Sequence, residues 1–176
     1  MICLTGMPGC GKEEFIKVSM SRGYQVTRMG DVVRKEARKR GFPFSDANVG
    51  GMADEERKIH GPDIWARRTL PLVSSSMCII DGLRSKAELA VFRERFGPSL
   101  PLVAIISSTE TRYRRLVARG REDDVLSREE FNRREKREIA WGLGELIQSA
   151  DVRIENEGNL EDFREGIEDF LDGLKG

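Results

Sequence analysis

Five short apolar runs punctuate the chain: 2–4, 24–27, 77–80, 102–106 and 152–154. The runs at 77–80 and 102–106 are almost unbroken, the pattern of strands buried on both faces. Between the runs, apolar positions recur at helical spacing. The stretch 13–22 places Phe15, Ile16 and Met20 on an inward face, and Gly23 closes it. Ser85 followed by Glu88 predicts a capping box that opens a helix carrying Leu89, Phe92 and Phe96. Tyr113, Leu116 and Val117 mark another helix. Ser127 and Glu130 predict a second capping box, opening one long helix to about Ile147. A last helix follows Asn159 and offers Leu160, Phe163, Ile167, Phe170, Leu171 and Leu174 for burial. Strands alternating with helices predict an α/β fold: a parallel five-stranded sheet with helices on both faces. The stretch 30–73 has no strand pattern and reads as a helical insertion. Gly61-Pro62 is expected to start its last helix, and Pro71 to stop or kink it.

At 176 residues the chain has the size of one domain. The longest apolar runs fall far short of the roughly 20 residues that span a bilayer, and the start, MICLTG, has no signal-peptide pattern. Cys3, Cys10 and Cys78 match no zinc spacing. A reduced, cytoplasmic protein away from membranes is expected. The 30 basic and 30 acidic residues cancel. That balance speaks against a protein built to hold a long nucleic-acid backbone. The charge is nevertheless uneven: +4 over 28–40, +4 over 112–137 and −7 over 155–172. Arginine outnumbers lysine by 22 to 8, and arginine makes the forked contacts that phosphates and carboxylates accept. Most of these charges read as solvated helix faces.

Gly6-Met7-Pro8-Gly9-Cys10-Gly11-Lys12 has the GxxxxGK spacing of a phosphate loop. A Gly-rich turn lets backbone N–H groups converge on phosphate oxygens, and the helix that follows adds its positive end. Lys12 adds a full charge toward the β- and γ-phosphates. The setting, a strand before and an amphipathic helix after, separates it from an ordinary Gly-rich turn. The residue after Lys12 is Glu13, where Ser or Thr usually ligates Mg²⁺. Its carboxylate either joins the metal shell or points away from the triphosphate.

Other candidates lie at strand ends, where α/β folds bind ligands. Asp81 ends an apolar strand and suits the Mg²⁺ shell; the competing reading is a simple Asp-Gly turn with Gly82. Asp31 reads first as a helix N-cap and second as an acceptor contact. Arg34 and Arg84 are placed to meet an acceptor phosphate. The stretch 119–137 is the lid candidate, with Arg119 and one of Arg133 or Arg134 expected at the phosphates, Arg134 being the choice carried forward. The guanine-reading NKxD motif is absent, which leaves ATP as the expected donor. His60, the one histidine, has no role in such chemistry.

Gly6–Lys12, Gly30-Asp31-Val32-Val33-Arg34, Asp81-Gly82-Leu83-Arg84-Ser85 and the segment from Ala150-Asp151 to Asn156-Glu157-Gly158 together resemble the P-loop nucleoside monophosphate kinases. The similarity is greatest to an archaeal adenylate-kinase-related group, and extends to dephospho-CoA kinase. It implies that the insertion 30–73 binds the acceptor, that Arg84 takes the acceptor phosphate, and that Asn156 lies against adenine. The adenylate-kinase proline before that arginine is missing here. The expected activity is Mg²⁺-dependent transfer of the ATP γ-phosphoryl to a nucleotide-like acceptor such as AMP or dephospho-CoA. The alternatives are an ATP-binding or ATPase regulatory protein without a small acceptor, and a nucleic-acid 5′-end kinase.

Overall fold

The computed structural model describes residues 1–43, 45–119 and 127–174. In chain order it contains β1 (Ile2–Thr5), α1 (Lys12–Ser21), β2 (Gln25–Arg28), α2 (Met29–Lys39), α3 (Asp46–His60) and α4 (Ile64–Thr69). A 3₁₀ turn (Leu70–Leu72) precedes β3 (Cys78–Asp81) and α5 (Lys86–Phe96). Then come β4 (Leu102–Ile106), α6 (Thr109–Arg119), α7 (Arg128–Ala140), α8 (Leu143–Gln148), β5 (Val152–Glu155) and α9 (Leu160–Gly173). The five strands form one parallel sheet in the order β2-β3-β1-β4-β5. From β1 the chain runs to β2 and β3 on one side of it and then crosses to β4 and β5 on the other, which puts a crevice at the carboxyl end of β1.

Alternation along the strands builds two cores. Ile2, Leu4, Ile79, Val103 and Ile105 face Phe15 and Ile16 of α1 and Phe163, Ile167 and Leu171 of α9. Cys3, Cys78, Ile80 and Leu102 face the other way, onto Met29, Trp65, Leu89, Phe92, Leu143 and Leu146. Helices α2 to α4 fill the strand-free stretch and join this second core through Ala37, Met52, Ala53 and Trp65. Leu116 of α6 and Phe131 of α7 make a smaller cluster with Tyr113, whose ring meets Phe131 edge-on at 5.4 Å.

Several local expectations change. Met20, Val117, Leu160 and Leu174 are exposed, while their helices bury Phe15, Ile16, Leu116, Phe163, Ile167 and Leu171 instead. The helix expected to run from Ser127 to Ile147 breaks at Gly142, whose φ of 99° is a left-handed conformation. The last helix of the insertion starts later than Gly61-Pro62: α4 begins at Ile64 with Asp63 at its N-cap, because Gly61 ends α3 with φ 100° and Pro62 falls in the link instead of near N1. Pro71 enters the 3₁₀ turn that follows α4. Arg28, not Asp31, is the N-cap of α2. The Ser127–Glu130 capping box forms in both directions. At Ser85 only half forms: its hydroxyl accepts from Glu88 N–H, while the Glu88 carboxylate turns to the Arg84 N–H at 2.5 Å. No helix among the described residues is long and apolar enough to cross a membrane.

Candidate functional site

The turn between β1 and α1 is fixed by three glycines. Gly6, Gly9 and Gly11 have φ of 143°, 83° and 103°. A Cβ on Gly6 would stand 2.6 Å from the Ile105 carbonyl oxygen, one on Gly9 2.6 Å from that of Arg112, and one on Gly11 2.1 Å from Asn156 Nδ2. No other residue fits these approaches. The loop's carbonyls are turned back onto the protein. Asn156 Nδ2 donates to the Cys10 carbonyl at 2.9 Å and Ser107 Oγ donates to it at 3.2 Å. Arg112 Nη1 donates to the Pro8 carbonyl at 3.4 Å. Lys12, the first residue of α1, folds over the loop and donates from Nζ to the Gly6 carbonyl at 2.7 Å. Both arginine struts come from α6. Arg115 bonds the Asn156 carbonyl and side chain and Ser107 Oγ at 3.1–3.2 Å. Arg112, itself buried, holds Glu135 of α7 through both guanidinium arms.

Beside the loop lies a pocket of about 950 Å³, its open mouth included, lined by Lys12, Glu13, Arg28, Asp81, Arg115 and Arg119 among others. Asp81 ends β3 opposite Leu4 of β1. Its Oδ1 is buried with no hydrogen-bond partner. Burial pushes this carboxyl up, Lys12, Arg84 and Arg28 pull it down, and Glu13 adds to the rise. Gly82, with φ 98°, makes the turn that follows, so the turn role of the Asp-Gly pair and the position of Asp81 in the lining of this pocket coexist. Glu13 is half-exposed and accepts from Arg28 Nη2 at 2.9 Å.

A second cavity of about 590 Å³, counted the same way, adjoins the first. Gly30, Arg34, Gly82, Arg84 and Arg134 line both. Its floor is apolar, with Met29, Val33, Val49 and Trp65, and its rim is ionic. Arg84 meets the buried Glu138 of α7 at 2.5 Å. Arg137 donates to both oxygens of Asp46 at 2.8 Å, and Arg134 Nε lies 3.3 Å from Asp46. Arg57 and Arg137 lie over the Trp141 ring at 4.1 and 5.5 Å, a cation–π arrangement. Arg57 also donates to the fully buried Glu88 at 3.0 Å. Burial alone would raise the Glu138 carboxyl, but Arg84, Arg134, Arg137 and Lys12 hold it below the usual glutamate range. Glu88 goes the other way: burial pushes it up against Arg57 and the Arg84 N–H. Burial would lower Arg84, and Glu138, Asp81 and Glu88 outweigh it, so the guanidinium is held more firmly charged.

With this geometry in place, the comparisons with known proteins are direct. A family profile described as an AAA domain matches residues 2–139. A UPF0200 protein of Thermoplasma volcanium is 44% identical over 166 residues, covering 94% of this chain and 92% of its own. Another, from Methanopyrus kandleri, is 45% identical over 172 residues, covering 94% and 85%. The chain belongs to the UPF0200 family. Among solved structures, a shikimate kinase from Bacteroides thetaiotaomicron superposes with TM-score 0.68 at 13% identity, covering 99% of this chain and 98% of its own. A gluconokinase from Sinorhizobium meliloti does so with TM-score 0.60 at 14% identity, over 99% and 94%. TT1252 from Thermus thermophilus gives 0.62 at 23% identity, over 99% and 97%. At these identities the likeness is one of fold: a five-stranded parallel P-loop kinase sheet.

In this UPF0200 chain the first pocket is lined by Pro8, Gly9, Gly11, Lys12, Glu13, Asp81, Arg84, Arg119 and Arg134, all of them candidates named from the sequence. Arg34 lines both cavities and donates to Asp31 at 2.6 Å. Asp31 itself is exposed and lines neither. Asn156, expected near adenine, is buried and spends its amide on the Cys10 carbonyl; it also borders a shallow recess with Gly11, Glu14, Gly158 and Leu160. Cys10 is buried, with Lys12 Nζ 3.6 Å from its sulfur. Of the lid candidate, residues 120–126 lie outside the described residues. Arg28, Arg57, Glu88, Arg112, Arg115 and Glu138 were missed. For Glu138 a signal existed: it stands seven residues after Phe131 and four after Arg134, on the inward stripe of α7.

Proposed function

We propose that this UPF0200 chain is a Mg²⁺-dependent kinase that moves the γ-phosphoryl group of ATP to a small nucleotide-like acceptor. One observation carries it: the pocket beside the glycine turn adjoins a second cavity and shares Arg34, Arg84 and Arg134 with it. Donor and acceptor phosphates bound in the two would meet at those guanidiniums. The glycine turn and the start of α1 offer N–H groups to the donor phosphates, and Lys12 exchanges the Gly6 carbonyl for phosphate oxygen. The buried, unpartnered Oδ1 of Asp81, with Glu13 across the pocket, fits a hydrated Mg²⁺. Mg²⁺ bound there would neutralise charge shared between phosphates. Arg34 and Arg84 orient the acceptor, and Arg119 and Arg134 close on the transferring group. The recess beside Asn156 and Gly158 takes the adenine. Catalysis is then positioning and electrostatics, with no covalent chemistry by the protein. AMP and dephospho-CoA are the first acceptors to try.

A second reading is an ATPase or ATP-responsive regulator. It is favoured by the fact that Arg84 and Arg137 already hold Glu138 and Asp46, so the cavity's charge is internally balanced. Labelled Mg·ATP, offered with AMP, CMP, dephospho-CoA or a 5′-hydroxyl oligonucleotide, separates the readings. Label on a small acceptor supports the proposal; free phosphate alone supports the ATPase; label on the oligonucleotide overturns the small-acceptor assignment. Lys12→Ala abolishes turnover in the first two cases, and full activity in that variant rejects the phosphate-loop assignment.

A further inference from the structure

Glu13 puts a negative charge at the N-terminus of α1, inside a pocket shaped for polyphosphate. The structure shows what offsets it. Arg28, the last residue of β2, donates from Nη2 to Glu13 Oε2 at 2.9 Å. Both residues line the phosphate pocket. The Arg28 side chain is 29% exposed, and its Nε is buried with no hydrogen-bond partner among the described residues. Its charge is also felt by Asp81 across the pocket. Arg28 is therefore a cation at the phosphates whose forked donor set is only partly used.

We infer that Arg28 is a phosphate-binding residue held in reserve by Glu13, and that the pair sets how strongly nucleotide binding depends on a divalent cation. In the free protein the guanidinium neutralises the carboxylate. When a polyphosphate enters, the same guanidinium can turn its unused donors to phosphate oxygen, and a divalent cation beside Glu13 can take over the charge that Arg28 offset. A hydroxyl at position 13 would give no such coupling, because it carries no charge to neutralise. Arg34 and Arg84 differ from Arg28 in reaching the acceptor cavity as well, which Arg28 does not line.

The inference rests on the nucleotide-binding part of the proposed function and not on phosphoryl transfer, so its readout is binding. Calorimetric titration of ATP would be run with excess EDTA and with excess Mg²⁺, on the wild-type chain, Arg28→Ala, Glu13→Ala and the double variant. Circular dichroism would confirm folding, and Arg28→Lys supplies a conservative variant if Arg28→Ala is unstable. Arg28→Ala is expected to lower metal-free ATP affinity tenfold or more and Mg·ATP affinity by a smaller factor. Glu13→Ala should raise metal-free affinity several-fold and shrink the gain from Mg²⁺. The double variant should bind metal-free ATP at least about threefold more weakly than the product of the two single-variant factors predicts, because Arg28 freed from Glu13 and Glu13 left without Arg28 each occur only in a single variant; that departure is the coupling between the two positions. Arg28→Lys should lie between wild type and Arg28→Ala. Equal losses with and without Mg²⁺, or single effects that simply add, overturn the inference while leaving nucleotide binding intact. A wild-type chain that binds no ATP under either condition overturns both this inference and the proposed function.

Discussion

Glu138→Gln removes one charge from the buried ion cluster and changes little else in shape. Arg84 would then keep its guanidinium in a buried site without its nearest counter-charge, 2.5 Å away. Breaking a buried pair from one side costs ~3–5 kcal/mol. Asp81 and Glu88 still act on Arg84, so the lower end applies. At ~2–4 °C per kcal/mol for a chain of this size, a loss of ~3 kcal/mol lowers Tm by roughly 6–12 °C. Differential scanning fluorimetry at pH 7 measures it. The companion variant Arg84→Met/Glu138→Gln removes both charges and should regain more than half the loss, because the buried cation goes too. The pH dependence has a definite sign. The folded Glu138 carboxyl lies below the usual range, so its stabilising contribution is complete above the ordinary glutamate value, ~4.3. It is lost as pH falls through the lowered folded value. The gap between wild type and Glu138→Gln should therefore narrow on acidification. A Tm change under 2 °C, a double variant no better than the single one, or a gap that widens in acid would refute the role given to this pair.

Other outcomes can be stated briefly. Asp81→Asn should raise the Mg²⁺ concentration needed for half-maximal phosphate transfer or release at least several-fold, and an unchanged Mg²⁺ titration counts against its metal role. The same change lifts stability relative to wild type near neutral pH, because a carboxyl raised by burial penalises folding as pH climbs from the ordinary value to the folded one; urea titration at pH 4 and 7 checks it. Gly11→Ala should cost ~2–3 kcal/mol, from the left-handed backbone and the displaced Asn156 amide. Pairing it with Asn156→Ala should recover the steric share, and strictly additive losses in denaturant midpoint would show that the two positions do not touch.

The sheet, the phosphate loop and the strand-end Asp81 were readable because each leaves a local mark: period-two apolar runs, fixed glycine spacing, a carboxylate after a strand. The ion cluster was not. Arg57, Glu88 and Glu138 come from three helices, and each looks in sequence like part of a solvated face. What makes them interior is the scarcity of apolar residues on α7, where Ile139 is exposed and Phe131 alone is buried among the hydrophobic side chains. Arg115 and Asn156 were hidden for a related reason. Their partners lie 105 and 146 residues away, at Cys10, and no local spacing encodes that contact. Helix ends fared better where a side chain decides them, as at Ser127, than where a glycine conformation does, as at Gly142.

Trp65 and Trp141 are the chain's two tryptophans, and both line the second cavity. Trp65 is fully buried, its indole N–H fixed on the Ala53 carbonyl, while Trp141 lies beneath two guanidinium groups. Among the described residues, the pocket beside the glycine turn has no aromatic lining. All indole emission therefore originates in the lining of one chamber, so the protein carries a built-in optical probe that distinguishes a compound entering that chamber from one that only reaches the glycine turn.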